Sequence, residues 1–227
     1  MKNLKKGNKA ITIFWTLIGS ALFIFVWIIL KDLFHVSDRV LPSIKDVFGS
    51  IDDFEPNILV HSSSTIIRLV IGFLGGILFG VSLGIIIYSN KFLSRLLTPT
   101  IQSFRAVPPI ATVPFFILWF GFSETGRYFM VISGIGFNIA VSTYQILKFV
   151  PEKYQIMFKS YSKKPSKMIF SYMLPRIAED LLPTIRFSLS VVIGLVIVSE
   201  LLGAQVGLGY LIQTSRSTYS MHVIFLC

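Results

Sequence analysis

Apolar and polar positions in this chain fall into long alternating blocks, not into the short periods of a half-buried soluble element. Five apolar blocks are long enough to cross a hydrocarbon core of about 30 Å. They cover 11–30, 66–88, 101–122, 128–147 and 181–203. A sixth begins at Met221 and the sequence stops at Cys227. That stretch is about 10 Å of helix, too short to cross, so either the chain is cut short or that end is not a span. The pattern predicts an all-α polytopic bundle of about five to six spans in a single domain, 1–227.

The polar blocks orient the spans. Lys2, Lys5, Lys6 and Lys9 precede the first block with no acid among them. Lys and Arg resist translocation, so the N-terminus is expected in the cytoplasm. The connection 31–64 carries six acids (Asp32, Asp38, Asp46, Asp52, Asp53 and Glu55) against three basic residues and reads as external. The connection 89–107 holds Lys91, Arg95 and Arg105 without an acid and reads as internal. Residues 123–127 form a short external turn. The segment 148–180 is strongly basic between Lys148 and Arg176 and is expected in the cytoplasm, and 204–220 is expected outside. Trp15 and Trp27 near opposite ends of the first block, and Trp119 near the outer end of the third, sit where amphipathic rings prefer to lie. The first block is about 20 residues long and Lys31-Asp32-Leu33 offers no small-residue cleavage site, which reads as a retained span and not a signal peptide.

Composition agrees. Of the 227 residues 53% are hydrophobic and 14% charged, more apolar surface than a soluble domain hides. The net charge of +10 alternates with apolar spans without nucleic-acid motifs, so no nucleic-acid partner is expected. Cys227 is the only cysteine, which excludes an intrachain disulfide, and His35, His61 and His222 lack the spacing of a metal site. No P-loop, H-E-x-x-H pattern or Ser/His/Asp set occurs, and Gly203–Gly209 (GAQVGLG) lacks the strand context of a dinucleotide fingerprint. The chain is expected to be neither an enzyme nor a nucleotide binder.

Within the spans, Gly72, Gly76, Gly80 and Gly84 recur every four residues on one helix face. Such a face admits another backbone closely, inside one subunit, at a dimer contact or at a moving surface. Pro108, Pro109 and Pro114 interrupt the third span. Freed carbonyls at membrane depth face protein or water, so the break marks either a transport pathway or a packing kink. Pro109, Thr112, Pro114, Ser133, Asn138 and Glu200 are the candidate pathway residues. Thr112, Ser133 and Asn138 equally suit bonds to a neighbouring helix. Glu200, near the outer end of the fifth span, suits either a functional pair or an acid reaching the headgroups.

A collinear set of motifs then carries a resemblance. It comprises Leu41-Pro42-Ser43, Ile67-Arg68-Leu69-Val70-Ile71-Gly72-Phe73, Arg105-Ala106-Val107-Pro108-Pro109-Ile110-Ala111 and Pro114 through Gly121 (PFFILWFG). It continues with Leu174-Pro175, Ser199-Glu200-Leu201-Leu202-Gly203-Ala204 and Gly207-Leu208-Gly209-Tyr210. From about Leu41 to Gln213 the chain resembles the permease subunits of bacterial ABC importers, in the branch for sulfonates, taurine, nitrate and related small anions.

The resemblance implies a type I importer permease of the inner (plasma) membrane, acting as a homodimer in lipid. An ATP-binding subunit dimer would bind ATP in its place, and an extracytoplasmic solute-binding protein would deliver substrate. It places the coupling helix in the basic segment, with Ile156-Met157-Phe158 on the E-A-A positions and Ser162 on the following Gly. All four depart from the family pattern. Phe158, Lys159, Ser160, Tyr161 and Ser162 are the expected ATPase contacts. A secondary transporter or channel, and a truncated permease fragment, are the competing readings.

Overall fold

The computed structural model describes residues 9–52, 57–151, 156–157 and 173–227, and every regular element among them is helical. Among the described residues four helices are long and apolar enough to cross a membrane, and a bent helix pair adds a fifth if the pair is one span. The chain divides into two compact units, 1–58 with 211–227, and 59–210.

In the first unit α1 (Lys9–Asp32) leaves most of its apolar side chains exposed, as a lipid-facing helix does. Its C-terminal end is tied down. The Trp27 indole donates to the Pro42 carbonyl at 3.1 Å, and Lys31 bonds the Val36 carbonyl and pairs with Asp38. Ser43 caps α2 (Ile44–Gly49) by accepting from the Asp46 amide, satisfying one orphan donor of the first turn.

The second unit holds most of α3 (Ile58–Ser89), then α4 (Lys91–Ala106), α5 (Val113–Phe120), α6 (Glu124–Lys148) and α7 (Leu174–Leu201). It ends inside α8 (Leu208–Ser217), and α9 (Met221–Leu226) belongs to the first unit. α6 is the central post. Its Met130, Val131, Ile135 and Ile139 pack with Val192, Leu195 and Val196 of α7 and Val113 of α5. At its other end Leu147 packs with Ile85, Ile177 and Leu181.

The glycine face of α3 meets α6. A Cβ at Gly72 would stand 2.5 Å from Val131, one at Gly80 would stand 2.6 Å from the Gly136 carbonyl, and one at Gly84 2.7 Å from that of Ala140. Gly76 lies against Ile135 in the same way. Helices in lipid gain little from the hydrophobic effect, so this close backbone approach is what joins them.

Several boundaries differ from the sequence pattern: α3 starts at Ile58 inside the expected connection 31–64, α6 at Glu124 inside the expected turn 123–127, and α7 at Leu174 inside the expected segment 148–180. The expected internal connection 89–107 is not a loop: 91–106 is the helix α4, opened by Asn90, whose side chain accepts from the Phe92 and Leu93 amides. Its charged residues hid an amphipathic helix from a reading based on apolar content. The third span is broken between Ala106 and Pro109, and its two arms meet at 94°. Val107 and Pro108, each preceding a proline, are extended with ψ of 124° and 125°, because a following proline ring disfavours the helical region. Pro114 does not take part in the break. It lies in the first turn of α5, where a missing N–H costs nothing.

Candidate functional site

At the end of the second unit that carries Glu124 and Glu200, four charges from three helices close on each other. Arg68 of α3 places Nη1 2.7 Å from Glu200 Oε1 and 2.8 Å from the Val206 carbonyl. Its other fork holds Glu124 in two bonds, Nε at 2.8 Å and Nη2 at 2.6 Å. Arg127 donates to Glu124 at 2.6 Å and to the Gly203 carbonyl at 2.6 Å. Two cations and two anions make the cluster neutral, and bidentate guanidinium–carboxylate geometry makes it directional. Arg68 and Glu200 are buried, Glu200 with no side-chain exposure, whereas Glu124 is about half exposed.

This clasp fixes the loop after α7. Glu200 accepts from Thr65 Oγ1 at 2.9 Å and from the Gly209 amide at 2.9 Å. Thr65 Oγ1 in turn accepts from the Leu208 amide. His61 Nδ1 lies 3.1 Å from the Gly207 amide and 3.3 Å from the Gly207 carbonyl. The His61 ring stacks on Tyr210 at 5.9 Å. Gly207 has φ of +143°, and a Cβ there would stand 2.5–2.7 Å from the Glu200 carboxylate oxygens, so only glycine fits.

The candidate pathway residues do not converge on one spot. Glu200 is enclosed by the clasp and offers no exposed oxygen. Thr112 Oγ1 turns back to the Pro109 carbonyl at 2.6 Å inside the break, and Ser133 Oγ bonds the Met130 carbonyl within α6. Pro114 is exposed, and Pro109 lies against Gly134 of α6. Asn138 is half-buried, with no side-chain hydrogen bond among the described residues. The expected ATPase contacts Phe158, Lys159, Ser160, Tyr161 and Ser162 lie outside the described residues.

The sequence reading missed Arg68 as a partner of Glu200, and with it His61, Thr65, Glu124 and Gly207. A signal existed. Arg68 is the one charge in the second apolar block and Glu200 the one acid in the fifth, both at the end expected outside. Two lone opposite charges at matching depth are candidates to pair.

Known proteins are similar to this chain as a whole. Residues 76–227 match the family described as binding-protein-dependent transport system inner membrane component. The chain is 30% identical to a putative aliphatic sulfonates transport permease protein, SsuC, of Bacillus subtilis, over 97% of this chain and 81% of that one. It is 24% identical to the taurine transport system permease protein TauC of Escherichia coli, over 82% and 68% of the two chains. Against the formylaminopyrimidine transport permease protein ThiX of Halalkalibacterium halodurans the identity is 28%, over 75% and 69%. Among solved structures, an inward-facing MetNI methionine ABC transporter superposes with a TM-score of 0.58 at 19% identity, over 71% of this chain and 83% of that one, a likeness of fold. This multi-pass membrane chain belongs to the binding-protein-dependent transport system inner membrane components, the permease subunits of ABC importers.

Proposed function

We propose that this permease imports small oxyanions, with aliphatic sulfonates and taurine as the leading substrates. The observation that carries the reading is the 30% identity to a sulfonate permease along almost the whole chain. Two copies would enclose one pathway in the lipid bilayer. A separate ATPase pair would bind and hydrolyse ATP beneath Phe158–Ser162, and a solute-binding protein would deliver the anion from outside. Closure of the ATPases would push the coupling segments and switch the pathway between inward- and outward-facing states. The N-terminus and the segment 148–180 lie in the cytoplasm in this reading, on the strength of their lysines, and the clasp lies at the outer end.

The test is uptake of ethanesulfonate and taurine by proteoliposomes holding the permease with its ATPase and binding protein. ATP-dependent uptake that is lost in Phe158→Asp or Tyr161→Asp, together with loss of ATPase copurification, is the expected result. Uptake without any ATPase would overturn it in favour of a secondary transporter. Orientation is tested by cysteine labelling from outside in a Cys227→Ser background. Ser37→Cys, exposed in the connection expected outside, should react and Ser166→Cys should not.

A further inference from the structure

α4 carries a second set of charges, arranged quite differently from the clasp. Lys91, Arg95, Thr98, Gln102 and Arg105 are spaced by four, three, four and three residues. That spacing averages close to one helical repeat, so the five lie along one strip. Lys91, Arg95, Gln102 and Arg105 are exposed, and the helix contains no acid. Among the described residues, Arg105 makes no hydrogen bond or ion pair, not even to the last carbonyls of its own helix.

The neighbouring strip of α4 fixes its depth. Ser94 Oγ meets the Tyr144 hydroxyl at 2.8 Å, one turn from the end of α6. Ile101 packs with Val141 and Ile87, and Phe104 stacks on Phe137 with ring centroids 5.3 Å apart. α4 therefore climbs along α6 from its Lys148 end to its middle. Phe137 is roughly 17 Å from one end of α6 and roughly 20 Å from the other, at 1.5 Å per residue. Arg105, next to Phe104, stands near mid-depth, and snorkelling along its own stem does not carry it to either surface. Asn138, one residue past Phe137, brings amide donors to the same depth.

Lipid does not tolerate such a strip at mid-depth without a partner or water, and intramembrane charges of this kind mark solute paths. We propose that the Lys91–Arg105 strip is the cationic wall of the solute path, and that Arg105 holds the oxyanion at mid-depth. A planar guanidinium matches two oxygens of a sulfonate or carboxylate in a fork. Arg95 and Lys91 continue the positive potential toward the Lys148 end, so an anion leaving Arg105 moves down a row of like sites. This assignment rests on the reading of the protein as an oxyanion importer.

The probe is ethanesulfonate uptake by the complete reconstituted complex. Arg105→Gln is expected to lower uptake at least tenfold with copurification of the ATPase retained. Arg105→Lys, which keeps the charge and loses the fork, is expected to fall between. Wild-type uptake with equal uptake by Arg105→Gln overturns the role of Arg105 and leaves oxyanion import standing. No uptake of any oxyanion by the wild type overturns both. Running the pair in neutral phosphatidylcholine distinguishes solute from lipid: a defect that persists supports the proposal, and one that vanishes assigns the strip to anionic headgroups and overturns it. A second measurement does not depend on transport. In a Cys227→Ser background, Arg105→Cys is expected to react with the water-soluble sulfonatoethyl methanethiosulfonate. Leu118→Cys, at 78% exposure in the parent residue, is the lipid-facing control expected to stay unreacted. An unreactive Arg105→Cys overturns the aqueous path.

Discussion

The clasp and the α4 strip use the same side chains at membrane depth for opposite ends. In the clasp Arg68 meets Glu124, Glu200 and the Val206 carbonyl, and the charges sum to zero. In the strip Arg105 meets none, and Lys91 and Arg95 on the same helix add charge instead of cancelling it. A neutral enclosed cluster is tolerated without help and holds helices together. An open cationic row is tolerated only while water or an anion solvates it, so it remains available for a passing solute. Partnering, more than charge or depth, separates the residues that build this permease from those that serve transport.

The sharpest way to break that contrast is to unpair the clasp. Glu200→Leu leaves the Arg68 guanidinium buried without one of its carboxylates, and losing one partner of a buried pair costs about 3–5 kcal/mol. Thermal unfolding in detergent should show a large drop. Arg68→Met combined with Glu200→Leu should recover much of it, since an apolar replacement of a buried pair is often neutral. Recovery should stop short, because the Gly209 amide loses its acceptor, at about 1 kcal/mol, while the Thr65 hydroxyl keeps the His61 carbonyl. Glu124 retains Arg127. A stable double variant that no longer transports would show that the clasp also handles solute, and the division of labour would fail.

The seam that joins the two regions is next. Gly80→Val drives a branched side chain into the Gly136 carbonyl and Ile139, an overpacking worth about 1–3 kcal/mol. Gly194→Val is the matched control, because nothing lies within 4 Å of a Cβ there, and it should stay within about 0.5 kcal/mol of the parent. Gly207→Ala tests the loop that the clasp holds. Its positive φ and the carboxylate beside it should cost about 1–3 kcal/mol in the same unfolding assay. Equal effects at Gly80 and Gly194 would mean that α3 and α6 do not meet through the glycine face.

Much of this fold was legible because lipid imposes a simple rule. Blocks such as 66–88 and 181–203 announce spans by length and apolarity alone, and the four glycines announce a close helix contact. α4 was illegible for the same reason. Its apolar positions Ile101 and Phe104 serve one face only, and Lys91, Arg95 and Arg105 made the segment read as a connection. A search for a 3.5-residue polar strip, in place of a hydropathy average, finds it. The break at 107–108 was legible from its prolines, but Pro114 misled, since a proline in the first turn starts a helix instead of ending one. The clasp needed pairing across 132 residues, from Arg68 to Glu200, which no local pattern encodes.

The smallest expected effect belongs to a pair that is neither enclosed nor unpartnered. Lys31 and Asp38 form an ion pair in the first unit, and the bond and charge of Lys31 hold the Asp38 carboxyl below its ordinary value of 3.8. A lowered folded value means that any stabilisation is present above the ordinary value. It is lost as pH falls through the still lower folded one. Asp38 has 75% of its side chain in solvent, so water and salt screen the pair over its whole working range. Asp38→Asn should therefore unfold at the same temperature as the parent at pH 7, and added salt should not separate them. A loss at Asp38 approaching that at Glu200 would mean that enclosure is not what gives the clasp its strength. The contrast with the α4 strip would then have to rest on geometry alone.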